Sequence, residues 1–269
     1  MTNVFKDGLL VGKVAFITGG TSGINLCIAE TFASHGAKVA VIGRNADKAK
    51  AAEAGIRAAA KHGGDAWSTT CDVRDFAALE AAIVATKERF GLLDILVNGA
   101  AGNFPAPALA MSANGFKAVV DIDLLGTFNA CRAAFEHLRK PGASILSLSA
   151  TQASQPSALQ AHVCAAKAGV DMITRTLALE WGPLGVRINS IAPGPIDDTE
   201  GMRRLAPTDQ ARAKLIDQVP LRRYGTKDEI AAMALFLCSP AAQYITGSVM
   251  IVDGGQVLNG FGGFQALFS

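Results

Sequence analysis

The chain has 269 residues, half of them hydrophobic and 18% charged, with 25 Lys and Arg against 23 Asp and Glu for a net charge of +2. That length suits one α/β core, the apolar content excludes a disordered chain, and the absence of a basic stretch interleaved with aromatics excludes nucleic acid as the expected partner. Five cysteines without a CxxC pair and four histidines at no ligand spacing predict reduced thiols and no metal.

Seven short apolar, β-rich runs alternate with helix-length segments: VAFIT (14–18), KVAVIG (38–43), AWSTTCDV (66–73), DILVN (94–98), ASILSLS (143–149), VRINSIA (186–192) and SVMIVDGG (248–255). This rhythm predicts an α/β fold, a doubly wound seven-stranded parallel sheet with helices on both faces, right-handed crossovers and strand order 3-2-1-4-5-6-7. No linker or repeat divides it, so one domain over 1–269 is expected. The stretch near 195–220, beginning PGPIDDTEGMRRLAP, breaks the pattern after a strand's carboxyl end and is expected to be mobile over a ligand. The start, MTNVFKDGLLVGKVAFITGG, carries no leader pattern, no segment reaches membrane-spanning length without charge, and QALFS is not an SKL-type address. The expectation is a cytoplasmic protein with no membrane partner.

The first strand runs into Thr18-Gly19-Gly20-Thr21-Ser22-Gly23-Ile24-Asn25 and then the helical pattern LCIAETFASHG. Glycines at a strand-to-helix turn let the backbone approach a pyrophosphate, whose charge the helix amino terminus stabilises. Gly19, Thr21, Ser22, Gly23 and Ile24 are therefore candidate cofactor-binding residues, with an ordinary tight turn as the plain alternative. The second strand ends Val41-Ile42-Gly43-Arg44-Asn45, without the carboxylate that would accept hydrogen bonds from a ribose 2′-hydroxyl. Arg44 instead offers a fork of donors suited to a 2′-phosphate, aided by Ser22, which makes NADP(H) the expected cofactor. A solvated arginine at a helix start is the other reading of Arg44.

The spacing TGxxxGxx resembles the TGxxxGxG of the short-chain dehydrogenase/reductase family, which has a Rossmann fold; Asn25 stands at the third glycine, where helix and strand pack closely. Cys71-Asp72-Val73 resembles the family's aspartate beside the adenine ring, and Asn98-Gly99-Ala100-Ala101-Gly102 resembles its NNAG signature. Pro193-Gly194-Pro195-Ile196 with Thr199 resembles its nicotinamide-contacting loop, and Asp253-Gly254-Gly255 its closing motif. The resemblance spans nearly the whole chain. It adds Asp72, Val73, Asn98, Ala100, Lys167, Pro193, Gly194 and Ile196 to the cofactor-binding set.

Carbonyl chemistry in that family rests on Asn, Ser, Tyr and Lys, with Tyr four residues before Lys, so that both side chains share one helix face. Here the helix reads Ala161-His162-Val163-Cys164-Ala165-Ala166-Lys167, which puts Val163 at the tyrosine position. Ala150 stands at the serine position between Ser149 and Thr151, and Asp123 at the asparagine position. Tyr224 and Tyr244 are the only tyrosines, and both lie late in the chain. The same departures fit one branch. Ala100 to Phe104, Asp121 to Asp123, Leu159 to His162 and Ala192 through Gly201 resemble the 2,4-dienoyl-CoA reductases of the peroxisomal type, which also lack that tyrosine. The resemblance implies an acyl-CoA substrate, hydride delivery from NADPH to the distal carbon of a 2,4-dienoyl thioester, and a 3-enoyl-CoA product of fatty-acid oxidation. It also implies a homotetramer, since the family pairs helices that correspond to the apolar-rich patterns at about 112–138 and 160–181.

Asp123 is the candidate for handling the proton; a plain ion pair with Lys167 is the alternative. Lys167 is expected to hold the nicotinamide ribose and bias the local field. Asn103 can bind a carbonyl, and Phe104 can lie against a flat diene or simply be core. Gln160, seven residues before Lys167, reaches nearly the same face if the helix extends that far, and is otherwise a surface glutamine. His162 lies about 140° from Lys167 around an ideal helix and is a further substrate candidate. Two other functions remain open at this point: an alcohol or keto reductase with rearranged catalysis, and a non-catalytic NADP-binding protein.

Overall fold

The computed structural model describes residues 4–261. All seven expected strands are present: β1 (Val14–Thr18), β2 (Lys38–Gly43), β3 (Asp65–Thr70), β4 (Ile95–Asn98), β5 (Ser144–Leu148), β6 (Arg187–Pro193) and β7 (Val249–Val252). They form one parallel sheet in the order β3-β2-β1-β4-β5-β6-β7. The helices are α1 (Gly23–Ser34), α2 (Ala46–Ala59), α3 (Phe76–Phe90), α4 (Ala113–Val120), α5 (Gly126–Ala134), α6 (Ala161–Trp181), α7 (Glu200–Leu205), α8 (Asp209–Asp217) and α9 (Lys227–Cys238).

Successive strand residues point to opposite faces, so a sheet covered on both sides needs apolar residues at every position. In β1, Ala15 and Ile17 join Ile28 and Phe32 of α1 and Ile230 and Leu235 of α9. Val14 and Phe16 join Leu79 and Ile83 of α3, Ala130 and Ala134 of α5 and Leu177 of α6. None of the described helices is long and apolar enough to cross a membrane.

Three strands stop short of their expected ends, β5 by one residue at Leu148, and β3 and β7 by three residues each, the latter two for a local reason. β3 ends at Thr70 rather than Val73 because the Asp72 carboxylate accepts the Arg74 backbone N–H at 3.0 Å and turns the chain. β7 ends at Val252 because the Asp253 carboxylate accepts from the Gly255 and Val257 backbone N–H groups, both at 2.8 Å, while Gly254 and Gly255 adopt left-handed φ values of 64° and 90°. Between α4 and α5 the helix widens into a π-turn over Asp121–Leu125, a local defect that often marks functional sites. Residues 195–220 carry α7 and α8, capped by Thr199 and Thr208, and Met202, Ala206 and Tyr224 pack there against Leu215 and Ile216.

The loop after β6 is fastened by the start of α9. Gly225 donates to the Pro195 carbonyl at 3.0 Å and accepts from the Asp197 N–H at 2.9 Å. Thr226 and Glu229 form a capping box, and Glu229 also binds the Arg223 guanidinium at 2.9 Å. Arg223, then the Thr226 backbone N–H, hold the Glu229 carboxyl at about 2, below its ordinary 4.5. A carboxylate depressed by folding contributes stability that is present above its unfolded value and lost as pH falls through the folded one. With Glu229 at 38% side-chain exposure, solvent screening limits this to about 1 kcal/mol. Glu229→Gln is therefore expected to be less stable than the wild type at pH 7, with the gap in urea midpoint closing between pH 4.5 and 2; a gap that stays constant over that window contradicts the assignment.

Candidate active site

β1 and β4 lie side by side with Thr18 opposite Asn98, and the chain leaves them toward opposite sides of the sheet. Such a reversal opens a crevice at the carboxyl ends of the strands. Here it is a cleft of ≈ 520 Å³, lined among others by Gly19, Thr21, Ser22, Ile24, Arg44, Asp72, Val73, Ala100, Lys167 and Pro193.

One part of this cleft has the backbone geometry and the uncapped helix start that an anion site needs. Gly19 has φ 66°, and a Cβ there would come within 2.9 Å of the Ala100 backbone. Gly23, which opens α1 with φ 60°, has nothing within 4 Å of its Cβ position, so it leaves open space. The N-cap Ser22 makes no side-chain cap bond and the first turn of α1 holds no acid. The first N–H groups and the positive end of the helix dipole are thus left uncompensated, as an anion requires. Arg44, in the bend before α2, is exposed on the cleft wall, and Lys48, in the first turn of α2, lines the same wall. Among the described residues neither cation forms an ion pair. Lys48 was not singled out from the sequence; Arg44 lies outside α2, so helical spacing gave no signal for the pair.

The remaining cofactor candidates divide. Arg74 grips Asp72 with Nε at 3.0 Å and Nη2 at 2.6 Å, which holds that carboxyl below its usual range. Asn98 is buried and turned away from the cleft: its Nδ2 donates to Ser147 Oγ and Cys131 Sγ, each at 3.2 Å. Gly194 packs against Asp253, and Ile196 is buried against Gly225. Those three shape the walls and do not form them.

At the other part of the cleft the π-turn delivers Asp123, which is 1% exposed. Its Oδ1 accepts the Gly102 backbone N–H at 2.6 Å, and its Oδ2 lies 3.2 Å from Lys167 Nζ. Lys167 Nζ also donates to the Leu148 carbonyl at 2.9 Å, and its side chain reaches the cleft wall. Ser149 lines the cleft with a buried hydroxyl that has no partner among the described residues. Val163 sits in an apolar cluster with Val119, Ala166 and Phe104. Tyr224 belongs to the cluster beneath α7 and α8, and Tyr244 is fully exposed, so no phenol stands beside Lys167.

The four substrate candidates form a group around Phe104 and the start of α6. The Phe104 and His162 rings lie 4.6 Å apart, tilted by 59°. His162 is fully buried, neither ring nitrogen makes a hydrogen bond of good geometry among the described residues, and burial, opposed by the Phe104 backbone and Asp123, pushes its imidazole below the ordinary value. Asn103 has a buried, unpartnered Oδ1, and its carbonyl accepts from Arg204 of α7 at 3.0 Å. Gln160 departs from both expectations. The helix begins at Ala161, so Gln160 is its N-cap and the shared-face geometry does not apply. Nor is it a surface residue: it is buried, and its Oε1 accepts from Gln152 Nε2 at 3.0 Å.

A sequence model described as enoyl-(acyl carrier protein) reductase matches residues 19–256. The solved structure of a short-chain dehydrogenase from Bacillus anthracis is 39% identical with a TM-score of 0.83, over 93% of this chain and 98% of that one. The chain belongs to the short-chain dehydrogenase/reductase family and is an oxidoreductase. Its relatives there include the peroxisomal 2,4-dienoyl-CoA reductase [(3E)-enoyl-CoA-producing] of Rattus norvegicus, 46% identical over 94% of this chain and 86% of the relative. The probable 2,4-dienoyl-CoA reductase [(2E)-enoyl-CoA-producing] of Bacillus subtilis is 43% identical over 92% of this chain and 97% of the relative.

Proposed function

We propose that this enzyme uses NADPH to reduce 2,4-dienoyl-CoA thioesters to 3-enoyl-CoA, as a cytoplasmic homotetramer. The observation that carries the reading is the buried Asp123–Lys167 pair at the cleft, with Val163 packed among apolar side chains where the family's tyrosine belongs. Reducing a carbonyl to an alcohol requires an acid at the oxygen, and no phenol is placed to serve. Reducing a conjugated diene requires instead that the thioester oxygen be steadied while a proton reaches carbon. The unpaired cations Arg44 and Lys48, the bare amino end of α1 and the open volume at Gly23 fit a phosphorylated dinucleotide. When bound, NADPH supplies the hydride.

Lys167 donates to the Leu148 carbonyl and is ion-paired with Asp123, and from the cleft wall its ammonium would hold a ribose hydroxyl of the bound cofactor. Asp123, fixed from two sides, handles the proton together with that ammonium, directly or through a water. Asn103, His162 and the Gln160 carboxamide nitrogen are the groups that would hydrogen-bond the thioester, and Phe104 would offer a flat face to the diene. The exposed Phe116, Leu125 and Phe128 on the α4–α5 run and Met172 and Leu179 on α6 supply an apolar surface for subunit pairing. Cytoplasmic residence stays part of this reading, although several relatives are named as peroxisomal.

Asp123→Ala is expected to lower dienoyl-CoA turnover by about 10²–10⁴ with little change in NADPH affinity, while Tyr224→Phe and Tyr244→Phe keep their turnover. Near-normal turnover of Asp123→Ala, or faster NADPH oxidation by the wild type on a 3-ketoacyl thioester or a simple ketone, defeats the assignment. In binding titrations the wild type should favour NADP(H) over NAD(H), and Arg44→Ala should lose about tenfold of that preference; equal wild-type affinities contradict it. Light scattering should give a mass of four chains, against which a monomer at micromolar concentration would count decisively.

A further inference from the structure

We propose that Asn25 and Gly99 are a matched pair that positions the cofactor: the Asn25 carboxamide fills the volume a side chain at 99 would need and ties the loop after β4 to the phosphate-binding turn. The inference rests on reading the cleft as a nicotinamide-cofactor site. Asn25 Nδ2 donates to the Gly99 carbonyl at 2.7 Å. A carbonyl only accepts, so this bond fixes which end of the amide faces it and leaves Oδ1 buried, with no donor among the described residues. A Cβ on Gly99 would collide with the same carboxamide.

The neighbouring amides are held as well. Thr18 Oγ1 accepts the Gly99 N–H at 3.0 Å and the Ala100 N–H at 3.2 Å. On a third side, Gly19 lets the Ala100 backbone approach to a distance that a Cβ, at 2.9 Å, would forbid. The Gly99–Ala100 backbone is thus fixed by Thr18, Gly19 and Asn25, and Asn25, Gly99, Ala100 and Ala101 all line the cleft.

A glycine at 25 would leave no orphaned oxygen, so the asparagine carries a cost that its bond to Gly99 offsets. With Asn25 bonded to the Gly99 carbonyl, a side chain at 99 has no room, and admitting one requires the carboxamide to leave that bond. Asn25 is therefore a positioning residue: it acts on the cofactor through the loop it holds.

NADPH titration of the full chain, followed by nicotinamide fluorescence, tests this, with the melting temperature of the ligand-free protein read alongside. Asn25→Gly is expected to weaken NADPH binding about three- to tenfold, the effect of one hydrogen bond, and to shift the emission of the bound nicotinamide. Gly99→Ala should cost about tenfold or more when Asn25 is present, and little further when combined with Asn25→Gly. If Gly99→Ala fails to fold while Asn25→Gly/Gly99→Ala folds and binds like Asn25→Gly, the pairing is equally supported. Unchanged affinity and emission in Asn25→Gly overturn the inference, as does a Gly99→Ala cost that is the same in both backgrounds. A wild type that binds neither NADPH nor NADH overturns the cofactor reading and this inference with it.

Discussion

The structure depends on one junction, where β1 and β4 run parallel as neighbours and their continuations part to opposite faces of the sheet. A single hydroxyl bridges that parting, since Thr18 Oγ1 gathers the backbone amides of Gly99 and Ala100. Everything placed at the carboxyl ends of the strands inherits its position from this point. The glycine turn before α1 lies on one side; the loop bearing Gly102, Asn103 and Phe104 lies on the other. Because Gly102 donates to Asp123, the same junction reaches the buried carboxylate through one loop.

Burying a carboxylate and an ammonium together is costly unless their remaining valences are met. Asp123 and Lys167 meet that requirement in part with backbone groups, the Gly102 N–H and the Leu148 carbonyl, while Asp123 Oδ2 accepts no hydrogen bond among the described residues and has only the Lys167 charge beside it. Those partners belong to the segments that follow β4 and end β5, so the pair is braced by the sheet itself. The π-turn belongs to the same arrangement: it carries Asp123 on a helix that otherwise continues from α4 into α5.

The fold and the glycine turn that opens the cleft were legible because backbone requirements write them into residue type. A glycine with left-handed φ, or one pressed against a neighbouring backbone as Gly19 is, leaves few other choices. Asn98 was read as a cleft residue from its motif, yet the alternation of β4 already argued otherwise: Ile95 and Val97 face one side, so Leu96 and Asn98 face the other, toward α5. Gln160 was beyond the reach of helical periodicity. Where α6 begins is decided by the left-handed Leu159 and by the bond from Gln152, both consequences of tertiary placement. The Asp123–Lys167 contact stood among the alternatives drawn from the sequence, and the structure gives it a distance.

Arg44 and Lys48 are cations on an exposed wall, whereas the amino end of α1 is a set of fixed dipoles rooted in the fold. Mobile ions weaken the attraction of the first far more than that of the second, with a screening length of about 8 Å near physiological ionic strength. The two ends of the cleft therefore respond to different variables. On the NADP(H) reading proposed above, discrimination between a phosphorylated and a plain ribose would follow the salt content of the surroundings, while retention of the dinucleotide as a whole would follow the integrity of the turn.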